Sequence, residues 1–213
     1  MKVVIAGGHG KVAMHLHPIL SDKGHEVRGL IRNPDQADDL KQAGAEPVIA
    51  DLEENDDLSD AVGKADAVVF AAGAGPGSGK ERKWSVDRDG AIKLMEAAKK
   101  NHIDRYVMIS AMGLDTPRGN EVFQVYQQAK AEADEALRNS GLDYTIIKPG
   151  RLTDDPGTGK VKAGDLDRGE IPREDVAAVI AYVLEHPETA GLEFDLLSGS
   201  KSVEKAISEL AES

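Results

Sequence analysis

The 213-residue chain contains no cysteine. That absence excludes disulfides, thiolate metal ligands and thiol nucleophiles. Aromatic residues supply only 4% of the chain, so a core has to be assembled from Val, Ile, Leu and Ala. Positive charge is also short: 26 Lys and Arg face 38 Asp and Glu, for a formal net charge of −12. Nucleic acid or an anionic membrane would be repelled at long range, so neither is expected as a partner. No apolar run approaches the roughly 18 residues of a membrane span. The opening MKVVIAGG is too short for the apolar region of a secretory signal. The six histidines (9, 15, 17, 25, 102 and 186) form no spaced metal motif, and no metal is expected. These absences predict a soluble cytoplasmic protein whose partner is a small molecule.

What is present is alternation. Apolar strand-like runs fall at 3–6, 26–31, 46–50, 67–72, 106–110, 144–148 and near 193–197. Several are continuous rather than alternating, as expected for parallel strands buried on both faces. Helical patterns lie between them at 11–23, 35–43, 84–100, 120–140, 173–185 and 201–211. Strand and helix in regular succession predict an α/β, Rossmann-type doubly wound parallel sheet of about seven strands, with helices on both faces. Gly24 is placed to end the first helix, and Asn33-Pro34 to open the second. The whole chain, 1–213, reads as one domain. Two Gly- and Pro-rich stretches, 73–82 and 151–172, read as irregular. Both follow strand ends, where open α/β sheets bind ligands, and the second is the candidate substrate segment.

The segment Gly7-Gly8-His9-Gly10-Lys11-Val12-Ala13 fits G-x-x-G-x-x-A directly after the first strand. Gly7 permits a tight turn, Gly10 lets backbone approach a pyrophosphate, and Ala13 lets the helix pack closely on the strand. The helix N-terminus then faces the phosphates. His9 either contacts the cofactor or is a solvated loop residue. At the end of the second strand, where a strict NAD site needs a carboxylate, stands Arg32. A guanidinium there clamps a 2′-phosphate, with Lys11 as a second positive charge, so NADP is favoured over NAD. Asp51, ending the third strand, either meets the adenine edge or caps the following segment.

Tyr126 and Lys130 are four apart on a predicted helix and share a face. An ammonium beside a phenol lowers its pKa and prepares an acid–base for a carbonyl or alcohol. Ser110 ends the preceding strand. Trp84 either closes over a pocket or anchors the helix it starts.

Taken together, IAGGHGKVA, LIRNP, VVFAAGAG, YVMISAMG, YQQAKAEADEALRNSGLDYTIIKPG and PREDVAAVIAYVLE resemble the atypical short-chain dehydrogenase/reductases. The similarity is to the NAD(P)H-binding, NmrA-like and biliverdin-IXβ-reductase-like branch, including epimerase/dehydratase-like proteins. That resemblance implies Ser110, Tyr126 and Lys130 as catalytic residues, with Lys130 also binding the nicotinamide ribose. It also implies Asp51-Leu52 beside the adenine, Ala71-Ala72-Gly73 beside the ribose, and Pro149 beside the nicotinamide. An NADPH-dependent reductase of a small carbonyl, flavin or quinone is the reading it favours. A redox-sensing NADP-binding regulator and a sugar epimerase stay open, as do monomer and homodimer.

Overall fold

The computed structural model describes residues 1–75, 77–116 and 118–212. Strand β1 (Lys2–Ala6) lies between β2 (Glu26–Ile31) and β4 (Ala67–Phe70). Outward from β2 comes β3 (Glu46–Ile49); outward from β4 come β5 (Arg105–Ile109), β6 (Asp143–Pro149) and β10 (Glu193–Ser198). All these neighbours pair in parallel. The reversal of strand order beside β1 is the topological switch at which such sheets bind ligands.

Alternation along β1 builds two cores. Val3 and Ile5 face one layer with α1 (Lys11–Asp22), α7 (Arg173–Glu185) and α8 (Val203–Ala211). Val4 and Ala6 face the other, with α3 (Ser59–Val62), α5 (Ala91–Lys100) and α6 (Glu121–Arg138). A short α2 (Ala37–Gln42) follows the Asn33-Pro34 turn, where the Asn33 side chain accepts from Asp35 N–H at 3.0 Å. Gly24 sits just past α1 with φ +81°, the left-handed stop its position predicted.

The sheet is larger than the expected seven strands. Segment 151–172 is not irregular: it forms β7 (Arg151–Thr153), β8 (Lys160–Gly164) and β9 (Glu170–Pro172). Strand β8 pairs antiparallel with β10 and with β11 (Lys201–Ser202), giving nine strands in the main sheet among the described residues, while β7 and β9 pair separately. Glycine makes these pairings possible. A Cβ at Gly150 would lie 2.4 Å from the Gly169 carbonyl oxygen, and one at Gly199 would lie 2.4 Å from the Val161 carbonyl. Residues that read as loop-formers thus serve close backbone packing.

The helix expected at 84–100 begins earlier and changes pitch. After α4 (Lys80–Arg82), residues Lys83–Gly90 wind as a π-helix before α5. The wider turns bury Lys83, Val86, Asp87 and Gly90. At the opposite end of the sheet, the buried Arg105 guanidinium ties β5 to its neighbours. It donates to the carbonyls of Asp143 and Val183 and to the hydroxyls of Thr145 and Thr189, at 2.8–2.9 Å.

Candidate functional site

The glycine turn is built so that no side chain fits. Gly7 has φ +79°, and a Cβ there would lie 2.6 Å from the Ala72 Cα. A Cβ on Gly8 would lie 2.7 Å from the Gly29 Cα. Gly10 then caps α1 without a side-chain hydrogen bond, so the first-turn amides face the groove unoccupied by a residue of their own. Behind the loop, buried His17 donates from Nε2 to the Gly8 carbonyl at 2.6 Å, while its Nδ1 has no partner. Burial holds its pKa below the ordinary 6.5, outweighing the Gly8 hydrogen bond that opposes it.

A groove of about 250 Å³ runs from this turn across the ends of β1, β2 and β4. Gly7, Gly8, His9, Gly10, Arg32, Asp51, Leu52, Ala71, Ala72 and Gly73 all line it. His9 is hydrogen-bonded through Nε2 to Asp39 at 2.7 Å. Asp51 does local work as well: its carboxylate accepts from the Glu53 N–H at 2.8 Å. Two residues expected from the glycine motif lie elsewhere. Val12 is buried in the core beneath the turn. Lys11 points away to Asp154 at 2.5 Å, which also accepts from Arg173 at 2.6 Å. Sequence reasoning missed Glu53 and Arg82, which line the groove near Arg32; Glu53 directly follows Asp51-Leu52, and Arg82 ends the 73–82 stretch.

Ser110, Tyr126, Lys130 and Pro149 are absent from that lining and form a second cluster at the ends of β5 and β6. Lys130 is buried and donates from Nζ to the Ile109 carbonyl at 2.7 Å. Ser110 donates from Oγ to Asp134 at 2.6 Å. Pro149 accepts from the Met112 N–H at 3.3 Å, joining the two strand ends. Asp87, from the π-helix, accepts from the Ala74 N–H at 3.3 Å and so ties this cluster to the groove wall. The expectation of a depressed Tyr126 pKa does not hold. Burial raises it, and the carboxylates of Asp87 and Asp134 raise it further. The Lys130 ammonium is committed to a carbonyl, and its own burial lowers its pKa against the pull of those two carboxylates.

Asp87 and Asp134 were not anticipated. Asp134 lies one further turn from Lys130 and shares its face, a signal present in the spacing. Asp87 reaches the site through the π-helical turn, which no periodicity announces. Burial raises the pKa of both, against opposing lysine charges and hydrogen bonds. The cluster therefore pairs a protonated phenol with a buried ammonium and two carboxyl groups. Such an assembly can hold or donate a proton at Tyr126 Oη. Trp84 has the Arg88 guanidinium 4.6 Å over its ring, and Arg88 is paired with Asp89 and Glu132. Trp84 itself is half-buried and does not line the groove. Among the described residues, no group of three His, Asp or Glu side chains is arranged to hold a metal ion. Nor is any helix among them long and apolar enough to cross a membrane.

A doubly wound, mostly parallel sheet, with a glycine-rich turn and an open helix N-terminus at its switch point, defines a Rossmann-type nucleotide-binding protein. Within that class the chain belongs to the NAD(P)H-binding family, whose sequence model matches residues 7–187. It is 39% identical over 214 residues to a Bacillus subtilis protein named as an uncharacterized sugar epimerase, YhfK, covering 99% of this chain and 100% of that one. A solved Bacillus halodurans structure, described as NAD-dependent epimerase/dehydratase-like, is 39% identical with TM-score 0.93, covering 98% and 99% of the two chains. The oxidoreductase ylbE of Lactococcus lactis superposes with TM-score 0.89 at 27% identity, covering 100% and 98%.

Proposed function

We propose that the protein binds NADPH and reduces a small carbonyl, flavin or quinone substrate. The observation that carries this reading is the joining of two half-sites. A turn and helix end fit for a diphosphate lie beside Arg32, and Asp87 links that groove to a cluster containing Tyr126, Lys130 and Ser110. The fit to the dinucleotide rests on Gly7 and Gly8, which leave room for nothing but backbone, and on the uncapped amides of α1. When bound, the nicotinamide supplies the hydride.

The chain's own residues handle the proton. Burial and two neighbouring carboxyl groups keep Tyr126 protonated, so it serves as the acid toward a carbonyl oxygen. Lys130 fixes the end of β5 by holding the Ile109 carbonyl, and this positions Ser110. With Asp134 ionised, the Ser110 hydrogen is taken; with Asp134 protonated, the bond can reverse and free that hydrogen for substrate oxygen. Purified protein is tested by following NADPH oxidation against a panel of aldehydes, ketones, quinones and flavins. Turnover with none of them would reject the reading.

One observation favours a second reading, an NADP-binding redox sensor without turnover. Two of the three expected catalytic residues, Ser110 and Lys130, are already bonded within the protein. Turnover in the panel, together with equal affinity for NADP⁺ and NADPH, would eliminate it. Epimerisation of a sugar, the chemistry in the name of the Bacillus subtilis relative, is tested separately by product analysis.

A further inference from the structure

The end of the groove beyond β2 and β3 holds a charge arrangement that Arg32 alone does not explain. The Glu53 carboxylate lies 3.6 Å from an Arg32 guanidinium nitrogen. Arg82 grips the same carboxylate side-on, with Nε at 3.3 and 3.0 Å from its two oxygens and a terminal nitrogen at 2.8 Å. Ser85 Oγ donates to it at 2.6 Å. Burial works against ionisation of Glu53, but the hydrogen bonds from Arg82 and Ser85 and both arginine charges hold its pKa below the usual range. Arg32, Glu53 and Arg82 all line the groove.

Several other polar side chains around the groove are committed. Lys11 is paired with Asp154, and His9 with Asp39. Asp51 holds its own turn. Glu53 accepts from Arg82 and Ser85, which occupies most of the lone pairs a ribose diol would need. What remains is two guanidinium groups converging on one anion, the arrangement that matches a phosphate bidentately.

We propose that Arg82 and Arg32 form a two-guanidinium clamp for the ribose 2′-phosphate of NADP(H), and that Glu53 occupies the clamp and competes with that phosphate. The inference rests on the NADPH reading above and goes beyond it in assigning Arg82 and Glu53. Arg82 stands on α4, at the end of the glycine-rich stretch 73–82 that follows β4. The phosphate is therefore gripped from two elements, the end of β2 and the start of the helix beyond β4. Glu53 keeps the two arginines together when no phosphate is present.

Calorimetric titration with adenosine 2′,5′-bisphosphate and with 5′-AMP, which differ only in the 2′-phosphate, tests the clamp at low ionic strength. The wild type is expected to prefer the bisphosphate. Arg82→Met should weaken the bisphosphate by about tenfold or more and leave 5′-AMP within about twofold, with Arg82→Lys between. Glu53→Gln should tighten the bisphosphate a few-fold and leave 5′-AMP unchanged. A preference unmoved by both Arg82 variants overturns the clamp. So does weaker 5′-AMP binding in Glu53→Gln, which would make Glu53 a holder of the ribose hydroxyls. A preference that Arg32→Met abolishes and Arg82→Met spares leaves the NADPH reading standing and removes only the clamp. A wild type with no preference removes both. Melting curves of each variant establish that it is folded.

Discussion

Removing one oxygen from Tyr126 separates the chemistry proposed for it from its packing. Tyr126→Phe keeps the ring contact with Phe123 at 5.7 Å between centroids and deletes only the acid. For a carbonyl substrate, kcat/KM should fall by roughly 10²–10⁴ in steady-state NADPH oxidation. A flavin, which takes the hydride without that proton, should lose far less. His17 carries a different prediction, because its role lies behind the loop. Its folded pKa is depressed by burial, so the unfolded chain binds the extra proton first. The stability it contributes is complete above the ordinary value of 6.5 and is lost as pH falls from there through the folded value. His17→Gln should cost about 1–3 kcal/mol at pH 7.5. Urea midpoints should show the gap between variant and wild type narrowing by pH 5.5.

Among the elements, β5 has the most at stake in a single side chain. Arg105 joins it to Asp143 and Thr145 of β6, to Val183 of α7 and to Thr189 beyond. Arg105→Met keeps the volume but strands those acceptors, and should destabilise the fold by roughly 3 kcal/mol in chemical denaturation. The parallel strands were legible because burial on both faces writes each as a continuous apolar run, as in VVIA and AVVF. The glycine turn was legible because only glycine tolerates its φ and its contacts. Strands β7, β8 and β9 were not legible. Their glycines and charges look like loop; β8 finds its partners in β10 and β11, which follow it in the chain, while the three-residue β7 and β9 pair only with each other. The site divides the same way. Arg32 could be named from its place at a strand end, whereas Asp87 reaches it through a π-helix whose pitch no 3.6-residue pattern encodes, and Arg82 from the three-residue α4 just before it. Lys11 sat in the right motif but its long chain turned to Asp154.

For the molecule as a whole, the charge of −12 opposes an anionic ligand everywhere except at a few cations. Saturating NADPH at a hundred times its dissociation constant should add about 2.7 kcal/mol. For a chain of this length that is a rise of roughly 5–10 °C in melting temperature, readable by differential scanning fluorimetry. The rim of the sheet has a consequence for crowded solutions. Ala50 N–H bonds back to Ile31, so by alternation positions 47 and 49 turn their amide sides outward from β3. Position 47 is proline, which has no N–H to offer, and only Ile49 is left with a donor on that side. The opposite rim is a two-residue strand carrying Lys201. An incoming extended chain therefore finds almost no ladder to climb at either end. Pro47→Val restores the missing rung, and light scattering should record its aggregation on gentle heating before the parent protein clouds.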